Sequence, residues 1–423
     1  MLSVLRNAAY ARLFAAQVVA LLGTGLLTVA LGLLAFDLAG SAAGSVMGTA
    51  LTIKMVAYVG VAPLTAALVD RLPKKTVLVS ADAVRLLIAL MLPFVTEVWQ
   101  IYVLVFVLQS ASATFTPAFQ SLIPTVLPDA HQYTRALSLS RLAYDLESLL
   151  APAIAAALLA VVSYNNLFVG TAVGFAASIT CVLAARLSAR AERSSGLSFR
   201  RRLTGGMAVF ARTRTLRFLM LANITVAAGT AIVMVNSVVY ARGVFDRGDT
   251  ALGSILACYG AGSLLVALGT PRIVDRIGVI RTMMAGTAVI TAALGVAVAV
   301  TAQVTGSAVG WGWLLGTWLL LGVGTSLVNT PSARLLAEAS TEQNRNLVYT
   351  AQFALSHACF LLTYPVAGWL GETSLTLAAA VLTAIAAPAA FAAISLAITR
   401  RMTQPHQHSC RAANVRADRT HDR

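Results

Sequence analysis

The stretch "LTAALVDRLPKKTVLVSADAVRLL" (residues 64–87) sets four charged side chains, Asp70, Arg71, Lys74 and Lys75, between two long apolar runs. A variant, "GTPRIVDRIGVIRTMMAG" (residues 269–286), returns later, with Asp275 and Arg276 placed 205 positions beyond Asp70 and Arg71. Charge confined to short connectors between apolar runs is the pattern of a chain threaded through a bilayer. The composition agrees: 58% of residues are hydrophobic and 11% charged, against about 25% charged in soluble globular proteins. Mean hydropathy is +0.80.

A crossing helix needs about 20 mostly apolar residues to traverse roughly 30 Å of hydrocarbon, where only helices and closed barrels satisfy their backbone groups. Such runs fall at 13–36, 46–69, 76–95, 99–122, 136–162, 167–185, 218–240, 251–270, 282–303, 311–333, 347–370 and 375–398. The expected fold is an all-α membrane protein of twelve spans. "MLSVLRNAAYAR" leads straight into the first run without a clear cleavage site, so an uncleaved first span is expected. An even number of spans puts both termini on one side.

The net charge of +15 has two readings. In a soluble protein it would suggest nucleic acid or acidic lipid; in a membrane protein Lys and Arg gather in cytoplasmic loops. The distribution decides for the second, because 26 of the 31 basic residues fall on the side of the termini. Only Arg242 and Arg247 lie in connectors on the other side, while Lys54, Arg85 and Arg141 lie within spans. Both termini are therefore expected in the cytoplasm, and no nucleic-acid partner is implied. Four scattered cysteines, Cys181, Cys258, Cys359 and Cys410, form neither a disulfide framework nor a CxxC metal motif.

The chain also reads as an internal duplication. Besides the Asp-Arg pairs, Gln17 and Thr24 match Asn223 and Thr230 at an offset of 206. Pro117 and Pro152, 35 apart, match Pro331 and Pro365, 34 apart. Two six-helix bundles, 1–185 and 218–398, are thus expected, joined by a basic cytoplasmic linker over 186–217 and followed by a tail over 399–423. Repeat-built transporters place their substrate path at the interface of the repeats, and rocking of the halves gives alternating access.

With this organisation and the loop signature, the sequence resembles the major facilitator superfamily of secondary transporters. The family's G-x-x-x-D-R-x-G-R-[KR] loop appears as "AALVDRLPKK" (66–75), with Ala66 and Pro73 in place of the two glycines. Asp82-x-x-Arg85 and "RALSLSRLAYDLESLLAPAIAAAL" (135–158) resemble the drug and siderophore exporter branch, whose G-P-x-x-G element reads here as Ala151-Pro152-Ala153. The chain is also similar to the nickel-resistance branch, whose members end in a His-rich cytoplasmic tail.

Ionisable groups within spans cost at least about 2.5 kcal/mol each, so they default to functional candidates. Asp82 with Arg85 and Arg141 with Asp145 are spaced to pair along one helix face; Glu147 points elsewhere, with Lys54 as its candidate partner. With Asp70 and Arg71 these form the expected proton-coupling or gating set, a permanent structural ion pair being the alternative for each pair. Polar stripes mark the expected path: Gln17, Thr24 and Thr28 in the first span, Gln109, Ser112 and Thr116 in the fourth, Asn223, Thr230 and Ser237 in the seventh, Thr325, Ser326 and Asn329 in the tenth. Gln352 and His357 in the eleventh join them. Interhelical hydrogen bonding is the competing reading for such residues. In the tail, His406, His408 and Cys410 alternate, a donor set suited to nickel, zinc or copper, or else incidental to a solvated tail.

The expectation is a proton-coupled exporter, an antiporter, in a bacterial-type inner membrane, acting as a monomer without cofactor. Its partners would be the lipid bilayer, protons and a substrate that is either a divalent metal such as nickel or a toxic organic compound. The alternative is a metal-sensing membrane scaffold of transporter ancestry. No P-loop, G-x-S-x-G, HExxH or Rossmann signature marks an enzyme.

Overall fold

The computed structural model describes residues 2–61, 72–127, 129–185, 199–303, 307–341 and 344–402, and among these every regular element is helical. The first half comprises α1 (Ala8–Ala39), α2 (Ala43–Val56, continued by a π turn Ala57–Val61), α3 (Lys74–Met91), α4 (Val98–Val126), α5 (Ala130–Leu159) and α6 (Asn165–Ala184). A linker helix, Phe199–Arg212, lies in the basic connector, where the sequence reading expected only charge. The second half comprises α7 (Arg214–Val238), α8 (Asp249–Ile277), α9 (Val279–Gln303), α10 (Ala308–Glu338), α11 (Arg345–Pro365, continued by a π turn Val366–Leu370) and α12 (Leu375–Met402).

Ten stretches are long and apolar enough to cross a membrane. The first, Ala8–Val61, runs 54 residues, which at 1.5 Å per residue would be about 80 Å of unbroken helix. Gly40 breaks it: its φ of 54° is a left-handed conformation that glycine adopts without strain, and the chain turns back there from α1 into α2. α5, with 30 residues, is not among the ten; it carries Arg135, Arg141, Asp145 and Glu147 in one helix.

Helix ends follow local chemistry. The Asn7 side chain accepts from the amides of Ala9 and Tyr10 at 3.0 and 3.1 Å, capping α1. Glu97 and Gln100 form a capping box on α4. At the C-terminus of α6, Arg12 donates to the Ala184 carbonyl at 2.7 Å and Lys75 to the Leu183 carbonyl at 2.7 Å, so two cations satisfy orphan carbonyls and oppose the negative end of the helix dipole.

The duplication read from the sequence recurs as packing. The pairs α1–α6, α3–α6, α3–α4 and α2–α4 reappear as α7–α12, α9–α12, α9–α10 and α8–α10. The halves meet through α2–α11 and α5–α8, which are themselves each other's repeat images. Small residues bring the backbones close: a Cβ on Gly48 would lie 2.8 Å from Gly368 Cα across α2–α11. Such close approach lets dispersion forces hold helices together in lipid, where no hydrophobic drive between them exists.

Within α10, Gly322 faces α8 so closely that a Cβ would overlap the Tyr259 carbonyl oxygen, whereas nothing lies within 4 Å of a Cβ on Gly316. Gly322→Ala is expected to destabilise the detergent-solubilised protein by about 2 kcal/mol through overpacking, seen as a lower Tm by tryptophan fluorescence. Gly316→Ala in the same helix should leave Tm unchanged or raise it.

Candidate functional site

Two pairs of opposite charge lie in the first half, and their surroundings differ. Asp82 and Arg85 on α3 form a direct ion pair and are 0% and 4% exposed. Ser178 on α6 donates a second hydrogen bond to the Asp82 carboxylate. The guanidinium is sandwiched between rings, 4.5 Å from the Phe115 centroid and 4.7 Å from that of Phe175. Cation–π contact on both faces and a carboxylate at the edge hold Arg85 in one place. This is a dry, three-helix rivet joining α3, α4 and α6.

Glu147 and Lys54 differ in each respect. Glu147 sits near the midpoint of α5, half-buried, and Lys54 on α2 is the opposite charge that acts on it. No ion pair or hydrogen bond joins the two among the described residues. Glu147 reaches α1 at Gly25, where a Cβ would come within 3.2 Å of its Oε1. Its charge is felt by the hydroxyls of Tyr58, Tyr144 and Tyr364. Tyr364 belongs to α11, so the group straddles the boundary between the halves. Tyr58 completes the crossing: its ring stacks on His357 at 5.4 Å and lies 5.9 Å from Phe353, both on α11. His357 Nδ1 lies 2.7 Å from the Phe353 carbonyl, fixing the imidazole along its own helix.

Around this centre the expected polar stripes divide into two kinds. Gln17, Gln109, Asn223 and Gln352, one each from α1, α4, α7 and α11, are buried and each leaves a side-chain amide atom without a protein partner. Buried amides of that kind are costly unless something else satisfies them. The hydroxyls behave differently. Thr24 and Thr28 donate to carbonyls one turn back at 2.9 and 3.0 Å, and Ser112 does likewise at 3.0 Å. Thr116 bonds the Tyr144 hydroxyl at 3.1 Å, and the Gln17 side chain reaches the same hydroxyl. Thr230 on α7 and Thr325 on α10 face the Tyr259 hydroxyl of α8. Ser237, expected in the path, is instead part of the packing of the second half, accepting from the Trp318 indole at 2.7 Å. Asn329, on α10, accepts through its carbonyl from Ser332 at 2.6 Å.

On the face away from the linker helix, the far face, a bolt links the halves. Asp37 at the end of α1 pairs with Arg242 in the π turn after α7, Tyr164 donates to the second Asp37 oxygen, and the Arg242 guanidinium lies 5.5 Å from the Phe36 centroid. Asp37 and Arg242 are 205 residues apart, the offset of the duplication. Positions related by a two-fold repeat touch each other only on its axis, so the bolt marks that axis. Trp369 Nε1 adds a cross-half hydrogen bond to Thr49 Oγ1 at 3.0 Å near the same face.

Asp70, Arg71 and the tail residues His406, His408 and Cys410 lie outside the described residues, as do the side chains of Arg141 and Asp145. Among the described residues no group of three metal-ligating side chains is present. The sequence reading overlooked the tyrosines of the centre and the Asp37–Arg242 bolt. A tyrosine within an apolar run carries no signal of its own, but the bolt was legible: extending the repeat offset to Asp37 lands on one of the two far-side arginines.

The family model of the Major Facilitator Superfamily matches residues 13–246 and 219–414. Macrolide efflux protein A of Streptococcus pyogenes is 26% identical over 216 residues, 49% of this chain and 53% of that protein. The same-named protein of Enterococcus faecalis is 26% identical over 187 residues, 41% of this chain and 58% of that protein. The uncharacterized MFS-type transporter YfiS of Bacillus subtilis is 30% identical over 106 residues, 25% of each chain. The chain thus spans from a quarter to a little over half the length of these curated relatives. Among solved structures, the nucleoside transporter NupG (14% identity, TM-score 0.65, 92% of this chain and 98% of that one) and a bacterial homolog of the human lysosomal transporter Spinster (12%, 0.65, 92% and 97%) share the fold.

The rivet yields a sharp expectation. Arg85→Ala strands the Asp82 carboxylate without its partner and should cost about 3–5 kcal/mol, read as loss of the monodisperse peak in size-exclusion chromatography. The double variant Asp82→Leu/Arg85→Met should recover it.

Proposed function

The chain belongs to the Major Facilitator Superfamily, and from that premise we propose that it is a twelve-span, proton-coupled exporter of amphipathic organic compounds that works by alternating access. The observation that carries this reading is Glu147: a carboxylate near the middle of a helix, at the boundary of two repeat-related halves, opposed by a single lysine and ringed by phenols. Hydrocarbon tolerates such a group only where it faces water, a partner or a passing solute. Twelve spans follow if Ala8–Val61 crosses twice, folding at Gly40, and α5 crosses with its charged face turned inward.

The positive-inside distribution puts the linker helix and both termini in the cytoplasm and makes the far face external. The Asp37–Arg242 bolt and the close α2–α11 approach at Gly48 then close the external end, the arrangement of a transporter open to the cytoplasm. Substrate enters from the cytoplasmic side and settles among the unpaired amides and aromatic rings. Rocking of the halves breaks the bolt, and the substrate leaves as Glu147 takes a proton from outside. Return to the inward state carries that proton in. An organic substrate is favoured over a metal ion by the rings and amides of the centre; the macrolide efflux relatives make macrolides the first class to test.

The test is uptake of a radiolabelled macrolide into inside-out vesicles with an acidified lumen. Gradient-driven accumulation, abolished by a protonophore and reduced at least tenfold by Glu147→Gln, is the expected result. Unchanged uptake with Glu147→Gln would sink the coupling role. The bolt makes a second prediction: Asp37→Asn and Arg242→Gln should each slow transport, and the swap Asp37→Arg/Arg242→Asp should recover part of it. A coupling on the order of 1 kcal/mol suits a partly exposed pair, measured by a double-mutant cycle on initial rates.

A further inference from the structure

We propose that the central site takes a lipophilic organic cation, whose positive centre lies at Glu147 and whose apolar body lies on the Tyr58, His357 and Phe353 rings, with Lys54 as the resident charge it must work against. The inference rests on the export reading and narrows it to a charge class.

Charge bookkeeping at the site favours a cation over an anion. The first half offers two cations near its centre, Arg85 and Lys54. Arg85 is paired with Asp82 and clamped between two rings, so an incoming anion would meet Lys54 alone. An incoming cation would meet the Glu147 carboxylate, which no direct ion pair neutralises among the described residues. It would also meet the π faces around that carboxylate, including Tyr58 and, from the other half, Tyr364. Aromatic faces attract cations, more strongly where water is excluded. The rings form a continuous surface across the two halves: Tyr58 on His357 at 5.4 Å, His357 on Phe353 at 4.2 Å, and further along α11 Phe360 on Tyr364 at 5.0 Å. That surface gives an apolar body somewhere to lie next to the charge. Lys54 is the ammonium already present: it holds Glu147 electrostatically from beyond ion-pair range and repels any second cation placed between them.

This assignment gives the two charged residues opposite signs of effect, which a merely structural pair would not. Saturable binding of tritiated tetraphenylphosphonium to the purified full chain in detergent, by scintillation proximity, is the probe. Tetraphenylborate, of the same shape and opposite charge, is measured separately. Wild type should bind the phosphonium and show no saturable borate binding. Glu147→Gln, which keeps the shape and removes the charge, should weaken phosphonium binding at least tenfold. Lys54→Met, which keeps the stem and removes the competing ammonium, should tighten it several-fold. Equal phosphonium binding by wild type and Glu147→Gln, weaker binding by Lys54→Met, or saturable borate binding would each overturn the proposal. Glu147-dependent macrolide uptake without phosphonium binding would overturn it while leaving the export reading intact. Phosphonium binding with the two opposite mutant effects but no gradient-driven uptake would support the cation site and sink the export reading.

Discussion

A charge in hydrocarbon must be enclosed, and this architecture is organised around how that enclosure is achieved. Asp82 and Arg85 are enclosed completely: ion pair, serine hydroxyl and two aromatic faces leave little of either side chain to water. Glu147 is enclosed incompletely, with its opposite charge at a distance and its neighbours drawn from both halves. The same chemistry, one carboxylate and one cation on neighbouring turns or helices, gives a fixed rivet in the first case and a polarised gap in the second. Removing a partner from the rivet leaves a dry orphan charge, whereas the gap already exists with its charges apart.

The duplication converts that local arrangement into a movable one. Because α2–α11 and α5–α8 are images of each other, the halves meet through two equivalent seams that flank the centre, and Glu147 and Tyr58 project from the helices that form them. Glycines keep those seams close without interlocking side chains, as at Gly48 against Gly368, so the barrier to sliding or rocking is set by a small number of polar links. The link on the axis, Asp37 with Arg242, is a symmetry-breaking one: equivalent positions of the repeat carry opposite charges. A faithful repeat would have placed like charges there, and two like charges on the axis would repel and hold the far end open.

The helices were legible because a crossing helix announces itself by length and apolarity alone. The expected fifth span, 136–162, and the observed α5, Ala130–Leu159, differ by a turn at each end, and α5 escapes the purely apolar criterion for the same reason it matters: its polar residues face inward. The amides Gln17, Gln109, Asn223 and Gln352 were legible as polar breaks in apolar runs. Ser237 looked the same in sequence and is a packing residue, because the Trp318 indole that occupies it comes from three helices later. Tyr58, Tyr144 and Tyr364 were illegible: a phenol in an apolar run reads as bulk, and only the fold shows that the three surround one carboxylate. Partnership across long sequence separations is what composition and periodicity cannot carry.

The His357 ring illustrates how far local reading reaches. Two residues from Cys359 on the same helix, it could be taken as half of a metal site, but helix geometry turns the two apart, and the structure gives each a separate task. Cys359 is buried and donates to the Leu355 carbonyl at 3.3 Å, while His357 lies under Tyr58 at the seam between halves. An imidazole held by its own backbone through Nδ1 and stacked on a phenol is oriented as a flat surface rather than as a ligand. Its position, between a tyrosine of one half and a phenylalanine of the other, makes it part of the aromatic floor, so that movement of α11 against α2 must reshape the surface that any solute at Glu147 would touch.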